Sequence, residues 1–248
     1  MVGKPDKTSF VRALPVALLV VFIASAASFV LVAPHDAAAD GTPPPSWTKI
    51  DDADGIAIYR REIPGSDAIA FKGEGIVAAP LVRVASVIFD TSRATEWIDS
   101  LVEARVVRRT SDTDYVEYDH FSTPFVMKDR DFVTSNRLEY DAARQTITIR
   151  LRSTTDPAAP PTSYVRGELI SSTFVLTPTA DGKGTRVSGD VHCDPRGSVA
   201  KWIVNYFQKD WPRSTLKSLR KQVAKPNVAD NPAIRTLVDQ GTAAGATH

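Results

Sequence analysis

The chain has 248 residues, 43% hydrophobic and 24% charged, with 30 Lys and Arg against 29 Asp and Glu. This balance excludes a collagen-like or coiled-coil protein, and near-zero net charge argues against a nucleic-acid partner. Cys193 is the only cysteine, so no disulfide can form within the chain and a buried structural thiol is expected.

The first element is a targeting segment. Lys4, Lys7 and Arg12 precede Ala13 to Val32, a run without a charge, and Ala37-Ala38-Ala39 supplies small residues for cleavage before Asp40. Residues 1–39 are therefore expected to be a signal peptide or, if retained, a signal anchor through residues 13–32. Either outcome exports the domain, to the periplasm, to the outside of the cell or to the outer face of the inner membrane. Cleavage would leave 27 basic and 27 acidic residues.

Residues 40–46 contain Pro43-Pro44-Pro45, an extended spacer because proline fixes φ and lacks an N–H. The domain is expected over 47–225. Alternation and turn residues predict strands at Gly55 to Arg61, Ala68 to Val77, Glu103 to Arg109, Tyr115 to Thr123, Asp131 to Tyr140, Thr146 to Ser153, Val165 to Pro178 and Thr185 to Asp194. Helical patches fall at Pro80 to Phe89 and around Ala94 to Ile98. On the Thr146 strand, Ile147, Ile149 and Leu151 share one face. The Val165 strand is apolar on both faces, which predicts two-sided cover or a bulge near Gly167.

Ser198 is a suitable N-cap, and Val199, Ile203 and Phe207 begin an apolar stripe that continues through Leu216, Leu219 and Val223. Pro212 should kink or divide this helix. Residues 226–248 read as a flexible tail with a short helical stretch at Pro232 to Gln240. The class is α+β: a curved antiparallel sheet hides its apolar face, and that of one long amphipathic helix, by wrapping the helix. A cavity between them would take affinity from apolar positions and orientation from a few buried polar groups.

Several stretches in this order resemble the START (steroidogenic-acute-regulatory-protein-related lipid transfer) family: Trp47 with Asp54-Gly55-Ile56 and Tyr59-Arg60, Asp90 with Trp97, Val116-Glu117-Tyr118, Pro124 to Val133 (PFVMKDRDFV) and Asp194 to Asn205 (DPRGSVAKWIVN). The resemblance covers residues 47 to 224, in the manner of a secreted or membrane-anchored bacterial member. It implies a helix-grip (START/Bet v 1-like) fold around one lipid or sterol-like ligand, in a monomer without cofactor or catalysis. It also implies a lid formed by Ser198 to Lys225 with the Ser153 to Ser163 loop.

The residues implied in ligand contact are Arg93, Trp97, Asp99, Glu117, Arg130, Asn136, Ile149, Leu151, Trp202, Ile203, Tyr206 and Phe207. Members of the family often pair an acid at the position of Glu117 with an arginine, whose place is taken here by Asn136 with Arg137 beside it. Phosphatidylcholine-binding members use an Arg and an Asp around the tryptophan matched by Trp97. Arg93 and Asp99 stand near those places, each displaced by one residue.

Read without the resemblance, the last helix is basic and aromatic, with Trp202, Tyr206, Phe207 and Trp211 and eight basic residues between Arg196 and Lys225. That composition suits an anionic membrane surface. Enzymatic alternatives are thin. Besides His35 and the terminal His248 only His120 and His192 are present, and His192 and Cys193 point to opposite strand faces. A helix-grip cyclase or hydratase would need acid–base groups inside the pocket. An anchored adaptor would have a filled core and no ligand.

Overall fold

The computed structural model describes residues 46–66, 68–123, 127–197 and 201–245, with the side chains of 201–210 and 244–245 outside that description. The expected targeting segment and most of the spacer lie outside it too. Among the described residues, no helix is long and apolar enough to cross a membrane.

Ten strands form one sheet: β1 (Thr48–Ala53), β2 (Ile56–Glu62), β3 (Ile69–Val77), β4 (Leu101–Arg109), β5 (Asp114–Phe121), β6 (Arg130–Asp141), β7 (Thr146–Ser153), β8 (Val165–Arg166), β9 (Glu168–Pro178) and β10 (Thr185–Asp194). The spatial order is β1-β2-β3-β10-β9-β7-β6-β5-β4, with β8 beside β6. Every pair is antiparallel except β6 with β8. Helix α1 (Leu81–Ile88) and a 3-10 turn (Thr91–Glu96) lie between β3 and β4, and α2 (Lys201–Val223) and α3 (Pro232–Gly245) follow the sheet. The sheet holds α2 against β2 and β3 with α1 alongside, which is the expected helix-grip arrangement.

Strand parity sorts the faces. On β5, Tyr115, Glu117, Asp119 and Phe121 face inward, whereas Val116 and Tyr118 join Val133 and Ala159 in a separate outer cluster. The two-faced strand is resolved by a bulge. His192 pairs with Ser171 and Cys193 with Leu169, so Ile170 is the extra residue, three positions beyond Gly167. The bulge resets parity so that Leu169, Ser172 and Phe174 all reach the interior.

Strand β1 has no counterpart in the sequence reading. Its six residues are all exposed, and Ile50 sits unpaired at a bulge, so no apolar alternation marks it. It forms because Asp54 and Gly55, at φ 59° and 65°, make a tight turn into β2. That turn receives α2. Arg220 donates to the carbonyl oxygens of Asp54 (2.9 Å), Gly55 (3.1 Å) and Ile76 (2.9 Å).

Pro212 does not divide the long helix, which runs unbroken from Lys201 to Val223. The proline instead meets Gly73 of β3, where a Cβ would stand only 2.9 Å from the Pro212 Cβ. A glycine on the inner sheet face lets helix and strand approach at the place where the helix carries a ring. The tail expectation is also corrected. Residues 226–245 pack on the domain: Val228 is buried, Ile234 is fully buried, and α3 lies against α1 and β6. Asn231 caps α3, its Oδ1 accepting from the N–H of Ala233, while its own N–H donates to the Ser86 hydroxyl.

The Ser153 to Ser163 loop does not stand over the interior. Its Ala159 joins the outer cluster with Val116, Tyr118 and Val133, and Arg108 of β4 reaches Asp156 at 2.8 Å. The resemblance implies a lid here; in the structure the loop is strapped to the outer face of the sheet by charge and a small alanine contact.

Candidate functional site

Between α2 and the inner sheet lies a cavity of about 150 Å³. One ordered water needs about 10–15 Å³ on this measure, so the space exceeds what a few structural waters would fill. Its walls are mostly apolar. Ile88, Ala94, Trp97 and Ile98 come from α1 and the following turn; Leu101, Phe121, Phe132, Leu151, Leu169, Phe174, Val191 and Cys193 come from strands; Trp211 comes from α2.

The polar lining is small: Thr91, Glu117, Asp119, Thr134, Asn136, Ser172 and Thr215. Asn136 donates to the Thr134 carbonyl (3.3 Å) and hydroxyl (3.1 Å), and Ser172 donates to the Asp190 carbonyl at 2.7 Å. Trp97 leaves its indole N–H without an acceptor among the described residues.

Glu117 and Asp119 are the ionisable pair of this wall. They stand two apart on β5 and so share its inner face. Burial lifts the Glu117 carboxyl to about 7, helped by the negative charge of Asp90 and opposed by the Thr91 hydroxyl. Asp119 is raised well above the ordinary carboxylate range by burial and by Glu117. None of the described lining residues is Lys, Arg or His. Cys193, also on the wall, is held as a thiol by burial, while His192 faces the other way and meets the Ser66 hydroxyl at 3.0 Å.

Of the residues expected in ligand contact, Trp97, Glu117, Asn136 and Leu151 line this cavity. Ile149 packs in the adjoining core. Arg93 is placed elsewhere: it grips Glu96 at 2.7 and 2.8 Å and the Asn227 carbonyl at 2.7 Å, tying the 3-10 turn to the α2–α3 connection. Asp99 accepts from the Ser214 hydroxyl. Arg130, almost fully buried, donates to the carbonyls of Lys128 and Arg196, so it braces the turn before α2 and does not line the cavity. The side chains of Trp202, Ile203, Tyr206 and Phe207 lie outside the described residues. Asp119 and Thr215 were missed; Asp119 could have been found, because it is two residues beyond Glu117 on one strand.

A family model described as START domain matches residues 43–225. The chain belongs to the START domain family. Mouse phosphatidylcholine transfer protein is 27% identical over 181 residues, 71% of this chain and 82% of that one. An uncharacterised protein of Pseudomonas aeruginosa is 26% identical over 72% of this chain and 87% of its own length. Among solved structures, a STAR-related lipid transfer protein fragment from Xanthomonas axonopodis superposes with a TM-score of 0.64 at 27% identity, covering 72% of this chain and 99% of that one. Human STARD10 gives 0.66 at 20% identity, with 73% and 74% covered, and shows the shared fold.

The carboxyl pair gives this START domain a pH signature. The folded pKa of Glu117 exceeds its ordinary value of 4.5, so the folded state keeps a proton that the unfolded chain has released. Its contribution is complete below the ordinary value and is lost as pH rises toward about 7. Glu117→Gln is therefore expected to gain thermal stability over wild type at about pH 8 and to lose most of that gain near pH 4. Paired melting curves at the two pH values check this; an equal difference at both would contradict it.

Proposed function

We propose that this START domain binds one apolar ligand, lipid or sterol-like, inside the cavity and carries or senses it without altering it. One observation carries the reading: an interior space with apolar walls and a buried polar end that the described residues leave incompletely satisfied. The curated relatives named as phosphatidylcholine transfer proteins support it. Action outside the cytoplasm as a monomer, after export by residues 1–39, belongs to the same proposal and is supported by the N-terminal charge and apolar pattern.

Docking of α2 on an anionic membrane belongs to the same proposal, with part of its basic charge engaged within the domain. Arg213 and Lys217 pair with Asp51 and Asp54 at 2.6 Å each, Lys225 pairs with Glu96 at 2.9 Å, and Arg220 is spent on the three carbonyls. Much of the helix's basic charge is thus neutralised within the domain. Docking of α2 on an anionic bilayer would fall to Lys221.

A second reading has one observation in its favour. A buried and a half-buried carboxyl with raised pKa values inside a cavity are the acid–base groups that a cyclase or hydratase would need. Native mass spectrometry of the domain purified from producing cells, followed by organic extraction, separates the readings. Carriage gives one unmodified ligand per chain. An enzyme gives a molecule that is converted on incubation, and an adaptor gives none. Thr215→Trp, which adds a ring to the cavity wall from α2, is expected to lower the liganded fraction about tenfold or more while leaving the far-ultraviolet circular dichroism unchanged. A liganded fraction equal to wild type would overturn the reading.

A further inference from the structure

Any ligand of this cavity must answer its polar end, and that end is unusual in charge. Glu117 and Asp119 line one inner wall, and Glu117 is 7% exposed. The Thr91 hydroxyl, an uncharged donor, is the described side chain that reaches Glu117, and no described side chain donates to Asp119. Asn136, on the neighbouring strand, has its amide turned to Thr134. The described lining residues carry no positive charge. Among the described residues, the further charge facing Glu117 is Asp90, which is also negative and stands at the head of the 3-10 turn.

We propose that the ligand carries a protonatable nitrogen, an amine on an apolar chain or ring system, and that Glu117 and Asp119 receive it as an ion pair. The proposal rests on the cavity-binding reading above and narrows its ligand class. An acidic head group would meet no counter-charge on a desolvated wall whose acids are Glu117 and Asp119, which disfavours it. An alcohol would form ordinary hydrogen bonds with protonated carboxyls. An ammonium supplies the missing counter-charge, and hydrogen bonds to charged groups contribute more than neutral ones. The Trp97 N–H, buried and without an acceptor among the described residues, leaves room for an oxygen beside the nitrogen.

The proton balance is explicit. In water near pH 6 a primary alkylamine is already an ammonium, because its pKa resembles that of lysine, about 10.4. At that pH, below the value of about 7 to which Glu117 is raised, the Glu117 carboxyl holds its proton. Forming the ammonium–carboxylate pair therefore expels one proton to solvent. An alcohol expels none.

The test titrates delipidated full domain at pH 6 with dodecylamine, dodecanol and laurate, all below their aggregation concentrations. Fluorescence of Trp97 and Trp211, both on the cavity wall, reports occupancy, and calorimetry in two buffers of different ionisation enthalpy counts protons. The amine is expected to bind about tenfold or more tighter than the alcohol, with laurate weakest and about one proton released per amine. Glu117→Gln and Asp119→Asn, each checked for an intact melting transition, are expected to shrink the amine-to-alcohol ratio and the proton release. If alcohol and amine bind equally, or the amine releases no proton, the amine assignment fails while cavity binding stands. If none of the three probes binds, the cavity-binding reading itself fails.

Discussion

Replacing Arg166 by methionine is expected to lower the unfolding free energy by about 3 kcal/mol, read from urea denaturation at neutral pH. The reason is the carboxylate that would be left behind. Asp131 is fully buried, on the outer face of β6, and its oxygens accept from Arg166 Nε at 2.9 Å and Nη2 at 3.1 Å and from the Thr162 hydroxyl at 2.7 Å. Burial alone would raise its pKa, yet the Arg166 and Thr162 hydrogen bonds hold it below the ordinary value. Removing one partner of a buried pair typically costs about 3–5 kcal/mol, and the lower end applies because Arg166 keeps 31% of its side chain in solvent.

The same residues explain where the damage goes. Arg166 also donates to the Pro160 carbonyl at 3.1 Å, and Thr162 belongs to the loop strapped on the outer face of the sheet. The loop is expected to loosen with the pair. A folded pKa held low contributes stability above the ordinary value and loses it as pH falls through the folded one. The deficit of Arg166→Met should therefore be largest near pH 7 and smaller near pH 4, where the orphaned Asp131 takes up a proton. A loss below about 1 kcal/mol at neutral pH, in the range of exposed ion pairs, would show that the pair is not the brace described.

Leu219→Ala is the second large effect, an expected loss of about 2–5 kcal/mol by the same measurement. Leu219 is fully buried on α2 in the cluster that includes Ile56, Ile58, Val77, Leu216 and Val223. The upper part of the range applies if the hole cannot close. Pro212 already touches Gly73, the Leu216 methyl lies 3.3 Å from where a Gly73 Cβ would stand, and Arg220 pins the next residue to three carbonyls. A helix held on both sides of the lost side chain cannot settle into the gap. Lys221→Ala, on an exposed neighbour, is the control expected to stay within about 0.5 kcal/mol. A comparable loss there would mean that the cost does not come from the hole left by Leu219.

Much of the fold was legible because it rests on local periodicity. β7 and β10 begin and end at the expected residues, and β3, β6 and α1 differ by a residue or two at their ends, since alternation of apolar side chains and turn residues mark them in the chain itself. β1 was invisible for the same reason: an edge strand exposed on both faces carries no such pattern. The C-terminal segment misled because its glycines, alanines and threonines look loose, while Val228 and Ile234, two apolar residues six apart, are enough to dock it on α1.

The candidate site was half legible. Trp97, Glu117, Asn136 and Leu151 came from motif position and strand parity, and the structure brings them to one wall. Arg93, Asp99 and Arg130 look equally suitable in the chain, but their partners are Glu96 with Asn227, Ser214, and the Lys128 and Arg196 carbonyls. A charge has no destination until another element is packed against it.

The sequence by itself determined an α+β helix-grip domain with an inward apolar face, one long helix to fill it and an acid on β5. Tertiary structure alone decided that the basic side of α2 meets Asp51 and Asp54, that the proline-rich loop lies on the outer face of the sheet, and that Glu117 and Asp119 share a wall on which no described residue is cationic. Periodicity travels along the chain, but the compensation of a buried charge depends on strand register and on the approach of elements distant in sequence.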